Sequence, residues 1–298
     1  MKRIGVVGLG NMGQFMVKNL LKKGYEVTVF DVRKEAIDAA AANGAKPASS
    51  LKDLGSKSDV VFVMVLNAAQ VRSVTMGPDG LIEGMKKGGT VIVTSTIAQA
   101  ETAAVAQYGA ERGINFIDSP VSGGVIGAEK GTLVMMAACP DAVFEDCKDV
   151  LLTVGSNTYH VGKEAGMGQT VKAAVQLLVS IHVAATGEAM VMSQKAGVDP
   201  EMLTEIVSKS VGTSYQFELK APAIMQRDFT TKGALDIQIK DLDICLKMGR
   251  DLGVPLYLSS ICRELYITAE SMGYGREDLC AVAKVYENVA KCVVEKKK

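Results

Sequence analysis

The 298-residue sequence predicts an α/β fold in two domains: a doubly wound parallel sheet over residues 1–163, then an all-helical domain over 164–298. Three observations predict it. Short β-branched runs alternate with amphipathic stretches in the first half, a glycine-rich turn joins the first run to the first amphipathic stretch, and from about Gly166 helical patterns replace strand patterns.

The first element pair is read from "RIGVVGLGNMGQFMVKNLLKKGYEVTVFDV", which starts at Arg3. It gives strand, turn, a helix closing at Gly24, and a second strand. Gly8, Gly10 and Gly13 fill the G-x-G-x-x-G positions of a dinucleotide fingerprint, with Asn11 and Met12 inside it. Gly8 permits the tight turn, Gly10 lets backbone approach a pyrophosphate, and Gly13 lets helix pack on strand. The helix N-terminus offers free N–H groups and a positive dipole end to the phosphates. Asp31 ends the second strand, eighteen residues after Gly13, where a carboxylate can accept hydrogen bonds from the adenosine ribose. A 2′-phosphate there would meet a like charge, which favours NAD over NADP, although Arg33 can tolerate a phosphate if it swings inward. The plainer role for Asp31 is to cap the helix expected around "RKEAIDAAAANGA".

Further strands are expected at Asp59–Leu66 ("DVVFVMVL"), Thr90–Thr96 ("TVIVTST") and Ile114–Pro120 ("INFIDSP"). Ligands of such sheets sit beyond the carboxyl ends of the strands, so Leu66, Asn67, Ser95 and Thr96 are placed to line a nicotinamide pocket. In "VSGG", Ser122, Gly123 and Gly124 expose consecutive backbone N–H groups, a nest able to hold a carboxylate; a tight turn alone explains the same residues. Thr132–Cys139 ("TLVMMAAC") adds a strand and Asn157–Gly162 ("NTYHVG") closes the domain. His160 reads as a surface or packing residue.

The second domain opens with "GMGQTVKAAVQLLVSIHVAATGEAM", Gly166–Met190, a long apolar helix with a lysine near its start. A buried ammonium is costly unless paired, so Lys172 either snorkels to solvent or has chemical work. Lys172 and Gln176 are four residues apart and project from one face. His182 lies about 15 Å further along the axis, too far to share a proton transfer, and reads as a core residue. The run Ala173–Met192 is interrupted by Gln176, His182 and Glu188, each expensive in lipid, so a helix buried in protein is expected rather than a membrane span.

Composition narrows the function. Thirty-three basic and thirty-three acidic residues leave no net field for a polyanion or an anionic membrane, so no nucleic-acid partner is expected. Six scattered cysteines lack any C-x-x-C pair; they read as reduced, mostly buried thiols with no metal site. The N-terminus enters a strand at once, with no export signal, and a cytoplasmic protein is expected. The terminal "EKKK" reads as a solvated end.

Taken together, "GLGNMG", "DSPVSGG", "GMGQTVK" and "KDLDI" resemble the β-hydroxyacid dehydrogenases, the family of 3-hydroxyisobutyrate dehydrogenase, tartronate semialdehyde reductase and L-threonate dehydrogenase. The resemblance runs through the whole chain in motif order. It implies a Rossmann domain followed by a helical domain, a catalytic Lys172, a carboxylate-binding loop at Ser122, Gly123 and Gly124, cofactor contacts at Thr96 and Lys240, and a homodimer or homotetramer. Many members carry asparagine where this chain has Gln176, which implies a differently shaped pocket. "SYQFELKAP" and "MGYGREDLCAV" look most like the L-threonate branch, which implies a hydroxylated acid larger than 3-hydroxyisobutyrate. The expected reaction is reversible NAD-dependent oxidation of a small hydroxy acid, with Lys172 shuttling the hydroxyl proton and Gln176 orienting the reacting oxygen. Rival readings are 3-hydroxyisobutyrate dehydrogenase, a tartronate or succinic semialdehyde-type reductase, and a non-catalytic NAD-binding scaffold or sensor. Imine reduction on a related fold is disfavoured by Lys172. A 6-phosphogluconate dehydrogenase would need a cationic cluster for its phosphate, and none is evident.

Overall fold

The computed structural model describes residues 1–296; of the terminal "EKKK", positions 297–298 lie outside the described residues. Within that tail Lys296 pairs with Glu201 at 2.6 Å. The chain divides into two compact units, Met1–Lys172 and Ala173–Lys298.

The first unit alternates strand and helix. In order these are β1 (Arg3–Val7), α1 (Gly13–Lys22), β2 (Glu26–Phe30), α2 (Lys34–Ala42), β3 (Lys46–Pro47), α3 (Leu51–Ser56), β4 (Val60–Val63) and α4 (Ala68–Thr75). A short 3-10 turn, Leu81–Gly84, leads to β5 (Thr90–Val93), α5 (Gln99–Ala110), β6 (Asn115–Asp118) and β7 (Val121–Ser122). The unit continues with α6 (Gly124–Lys130), β8 (Val134–Ala138), α7 (Asp141–Val154) and β9 (Asn157–Gly162). Among the described residues one nine-stranded sheet runs β3-β2-β1-β4-β5-β6-β8-β7, with β9 beside β8. The pairs from β3 to β6 are all parallel, which is the Rossmann order. Beyond β6 the sheet becomes mixed: β8 runs antiparallel to β6 and β7, while β9 is parallel to β8.

The central strands are apolar on both faces because helices cover both. Successive side chains alternate sides. Ile4, Val6, Val60, Phe62 and Ile92 join the core under α1 and α7, whereas Val7, Val61, Val63, Val91 and Val93 join the core of the opposite face. The two short strands β3 and β7 carry no such run, which is why the sequence pattern does not announce them.

The second unit is helical: the remainder of α8 (Met167–Lys195), then α9 (Pro200–Ser208), α10 (Tyr215–Met225), α11 (Leu235–Asp251), α12 (Tyr257–Ala269) and α13 (Ala283–Ala290). A π turn at Glu270–Tyr274, with Gly273 at φ +92°, and a 3-10 turn at Leu279–Val282 connect the last two helices. Asp199, Ser214 and Asp278 cap α9, α10 and that 3-10 turn. By length and composition α8 passes as a membrane span. Its Val183, Ala184, Met190 and Val191 are instead buried in the helical core with Leu242, Tyr266 and Ala281. The expected domain boundary at 163/164 precedes α8, whereas the compact units divide inside that helix. Its first turn is fastened to the sheet by Asp118, as described below.

Candidate active site

The nucleotide end is built at the carboxyl termini of β1 and β2. Gly8 sits at φ +92°, and a Cβ there would lie 2.2 Å from the Met64 carbonyl oxygen, so both backbone conformation and space require glycine. At Gly13 a Cβ would be 1.9 Å from the Gly8 oxygen, the close helix–strand approach the fingerprint demands. Gly10 differs: a Cβ would meet nothing within 4 Å. The free chain does not need glycine there, but a ligand lying against the backbone does. Asn11 is exposed, Met12 is half-buried, and α1 has no acidic residue in its first turn to oppose an anion. These residues fit a dinucleotide pyrophosphate.

Asp31, just past β2, holds the turn from below. Its Oδ2 accepts the Leu9 N–H at 2.6 Å, and its Oδ1 accepts the Arg33 N–H at 2.9 Å and the Arg33 Nε–H at 3.2 Å. Burial alone would raise its pKa; the Arg33 guanidinium and the two backbone donors outweigh it and hold the carboxyl below its usual range. The Asp31 side chain is buried while that of Arg33 is largely exposed. Asp31 therefore organises the loop.

Past β4, Leu66 is 64% exposed, and Asn67 caps α4 by accepting the Gln70 N–H at 2.9 Å. Past β5, the buried Ser95 hydroxyl accepts the Val65 N–H at 3.0 Å and so ties the two strand ends together; Thr96 is half-buried. At β7, Ser122 pairs with Val134 of β8. Gly123 and Gly124 then take φ +128° and +60°, conformations that side chains resist, and both are exposed. The loop thus presents consecutive backbone donors at a strand end.

Lys172 is 7% exposed, two turns into α8. The start of that helix is clamped. Gly166, at φ +103°, makes the entry turn, and a Cβ on Gly168 would lie 2.5 Å from the Met136 oxygen and 2.8 Å from the Asp118 oxygen. Asp118, fully buried at the end of β6, accepts the Gly166 N–H at 2.9 Å and the Gln169 N–H at 3.1 Å on Oδ2, and the Gln169 side-chain amide at 2.7 Å on Oδ1. Gln169 also donates to the Ser95 carbonyl at 3.1 Å and accepts the Ile97 N–H at 3.0 Å. Burial pushes the Asp118 pKa up to about 6, against these donors. Sequence reading gave Asp118 and Gln169 no role, although both stand inside quoted motifs; an acid at a strand's carboxyl end and a glutamine one turn before the lysine were the available signals.

In the helical unit, the Gln176 amide donates to Asp241 Oδ2 at 2.5 Å and to Gln238 Oε1 at 3.4 Å. Gln238 in turn donates to the Ser180 hydroxyl at 2.6 Å. Asp241 is buried, 3% exposed, and its Oδ2 faces the Gln176 nitrogen. Lys240 is half-buried and lies 2.9 Å from Asp241 Oδ1. His160 stacks on Phe144 at 4.5 Å and bonds the Cys139 carbonyl at 2.7 Å, a packing role. All six cysteines are free; burial raises the thiol of Cys139 to about 12.

Residues 3–162 match the family model described as the NAD binding domain of 6-phosphogluconate dehydrogenase. Residues 166–286 match that described as NAD-binding of NADP-dependent 3-hydroxyisobutyrate dehydrogenase. The chain is 39% identical to 2-(hydroxymethyl)glutarate dehydrogenase of Eubacterium barkeri, over 96% of this chain and 95% of that protein. It is 36% identical to L-threonate dehydrogenase of Cupriavidus necator, over 97% of each. A crystal structure of 3-hydroxyisobutyrate dehydrogenase from Salmonella typhimurium superposes with a TM-score of 0.87 at 35% identity, covering 95% of this chain and 99% of that one.

Proposed function

The chain belongs to the β-hydroxyacid dehydrogenases of 3-hydroxyisobutyrate and L-threonate dehydrogenase type, NAD(P)-binding oxidoreductases of the CH–OH group, and from that membership we propose that it oxidises a small polyhydroxy acid, L-threonate-like, with Lys172 as the proton shuttle. The observation that carries the proposal is a lysine buried to 7% exposure near the start of a helix whose first turn is locked to the sheet. A surface-seeking lysine needs no such mounting.

Each group has one task. The turn at Gly8, Gly10 and Gly13, with Asn11 and Met12, holds the pyrophosphate; Asp31 takes the ribose hydroxyls; Leu66, Asn67 and Thr96 border the nicotinamide end, and the family resemblance assigns Lys240 a cofactor contact. When bound, the cofactor supplies the hydride acceptor. The N–H groups of Ser122, Gly123 and Gly124 hold the substrate carboxylate. Lys172 Nζ, neutral in the oxidising direction, takes the hydroxyl proton as the carbinol C–H is lost, and returns it in reduction. One turn further along the helix, Gln176 is held through its nitrogen by Asp241. The 36% identity to L-threonate dehydrogenase, with Gln176 standing where many members carry asparagine, is the reason to favour an L-threonate-like acid. The cofactor is NAD by preference, because the buried Asp31 carboxylate opposes a 2′-phosphate. The free thiols accord with a cytoplasmic protein, and the family resemblance is what supports a homo-oligomer.

The identity to 2-(hydroxymethyl)glutarate dehydrogenase favours a second reading, a hydroxymethyl dicarboxylate as substrate. Initial rates of NADH formation with L-threonate, 2-(hydroxymethyl)glutarate, 3-hydroxyisobutyrate and glycerate decide between them, repeated with NADP and with Lys172→Ala. L-threonate with NAD should give the highest kcat/KM, and the alanine variant should bind NADH yet lose about 100- to 10,000-fold in turnover. A higher kcat/KM on the dicarboxylate refutes the substrate assignment. Near-normal turnover in Lys172→Ala refutes the shuttle, and no turnover on any acid returns the chain to the scaffold reading.

A further inference from the structure

We infer that Asp118 and Gln169 are positioning residues for Lys172, a clamp that fixes where its amine can stand without touching the substrate. The inference rests on the proton-shuttle reading of Lys172 given above.

Three features argue for it. The first is geometric: Gln169 lies three residues before Lys172 on α8, so both side chains leave neighbouring positions on one side of the helix, and fixing the first turn fixes the second. The second is that every hydrogen-bonding group of the Gln169 amide is used within a buried region, on Ser95, Ile97 and Asp118, so that the helix start is tied at once to the ends of β5 and β6. The strand ends are also where the cofactor's nicotinamide is expected. The clamp therefore sets the height of α8 relative to that edge of the sheet. The third is chemical. A hydrophobic contact would anchor a helix start at lower cost than a buried carboxylate that must be stripped of water, but apolar packing tolerates sliding, whereas a carboxylate receiving several directed donors does not.

The contacts leave little room for substitution. Both Asp118 oxygens face N–H donors. In Asp118→Asn one of them becomes an NH2 facing another N–H, so either the helix start or the Gln169 amide must move. Displacement of about 1 Å at a reacting group is enough to cost about 100-fold in rate. Gln169→Met keeps the volume and removes the ties to Ser95, Ile97 and Asp118 together, leaving the Asp118 charge and its backbone donors in place.

The test is a double-mutant cycle on the full-length enzyme with its best substrate and NAD. Asp118→Asn and Gln169→Met should each lower kcat at least about tenfold, with the NADH dissociation constant, read by fluorescence titration, within about twofold of wild type. Placed on Lys172→Ala, either change should lower the residual rate by less than about twofold, because residues that act through the amine lose their effect when it is gone. Unchanged kcat in the single variants overturns the inference, as does the full loss persisting in the Lys172→Ala background. If Asp118→Asn does not fold, Gln169→Met carries the cycle; if neither folds, the network serves stability and the inference is wrong. Should Lys172→Ala itself retain normal turnover, the shuttle reading has failed, whereas a crippled Lys172→Ala beside active clamp variants removes the positioning inference alone.

Discussion

The carboxyl group of Asp118 makes a signed prediction about stability. It is wholly buried, and burial raises its pKa to about 6 despite the donors from Gln169, Gly166 and Gly168. In the unfolded chain it titrates as an ordinary aspartate, near ~3.9. Below that value both states hold the proton. As pH rises toward about 6 the unfolded chain releases the proton while the folded chain keeps it, so the unfolded state binds fewer protons and stability falls. Above about 6 both are ionised and the loss is complete. The gap is worth ~3 kcal/mol, of which ~2 kcal/mol falls between about pH 4.5 and about pH 7.5. Asp118→Asn has no such group to titrate. Urea unfolding of wild type and variant, followed by circular dichroism across that range, gives the difference in stability at each pH, and all other titrations cancel to first order. The difference should move in the variant's favour by ~2 kcal/mol as pH rises and then level off. The offset between the two proteins is not the readout, since the asparagine also misplaces donors; the slope is. A flat difference refutes the raised pKa. A difference moving against the variant would mean that the donors outweigh burial and the carboxylate is held low.

Two further outcomes separate cofactor geometry from folding geometry. A Cβ fits at Gly10 but collides with the Gly8 oxygen at Gly13. Gly10→Ala should therefore leave Tm within about 2 °C of wild type while weakening NADH binding at least about tenfold, whereas Gly13→Ala should lower both Tm and binding; equal Tm values would show that the crowding at Gly13 is relieved for nothing. Asp31→Ser removes the carboxylate that opposes a 2′-phosphate and releases Arg33 from its pairing. The NADP-to-NAD ratio of kcat/KM should rise at least about tenfold, and an unchanged ratio would remove Asp31 from cofactor discrimination.

What the sequence discloses follows how far apart the cooperating residues lie. The parallel strands β1, β2, β4, β5 and β6 were legible because each advertises itself by its own apolar run, and parallel connection through helices leaves few topologies. The glycine turn was legible for the same reason: the demand for positive φ at Gly8 and the crowding at Gly13 both arise within a few residues. β3 and β7, each two residues long, carry no pattern at all, and the antiparallel placing of β8 depends on the chain reversal through α6, between Ser122 and Val134, rather than on β8 itself. The clamp was illegible because its halves lie 51 residues apart. An aspartate ending a strand and a glutamine in a helix are each unremarked until the fold brings them to 2.7 Å.

The same distance rule explains why Lys172 stood out and the residues around it did not. An ammonium in an apolar helix breaks the local pattern, so it draws attention without any partner being known. Asp241 stands beside Lys240 in "KDLDI", where an acid next to a lysine on a helix reads as surface charge. Its carboxyl instead lies buried and takes the Gln176 amide from 65 residues away. A shorter asparagine at position 176 would draw back from Asp241. The departure from the commoner residue and the buried acid that receives it are thus one feature, and the substrate chosen by this chain should depend on both.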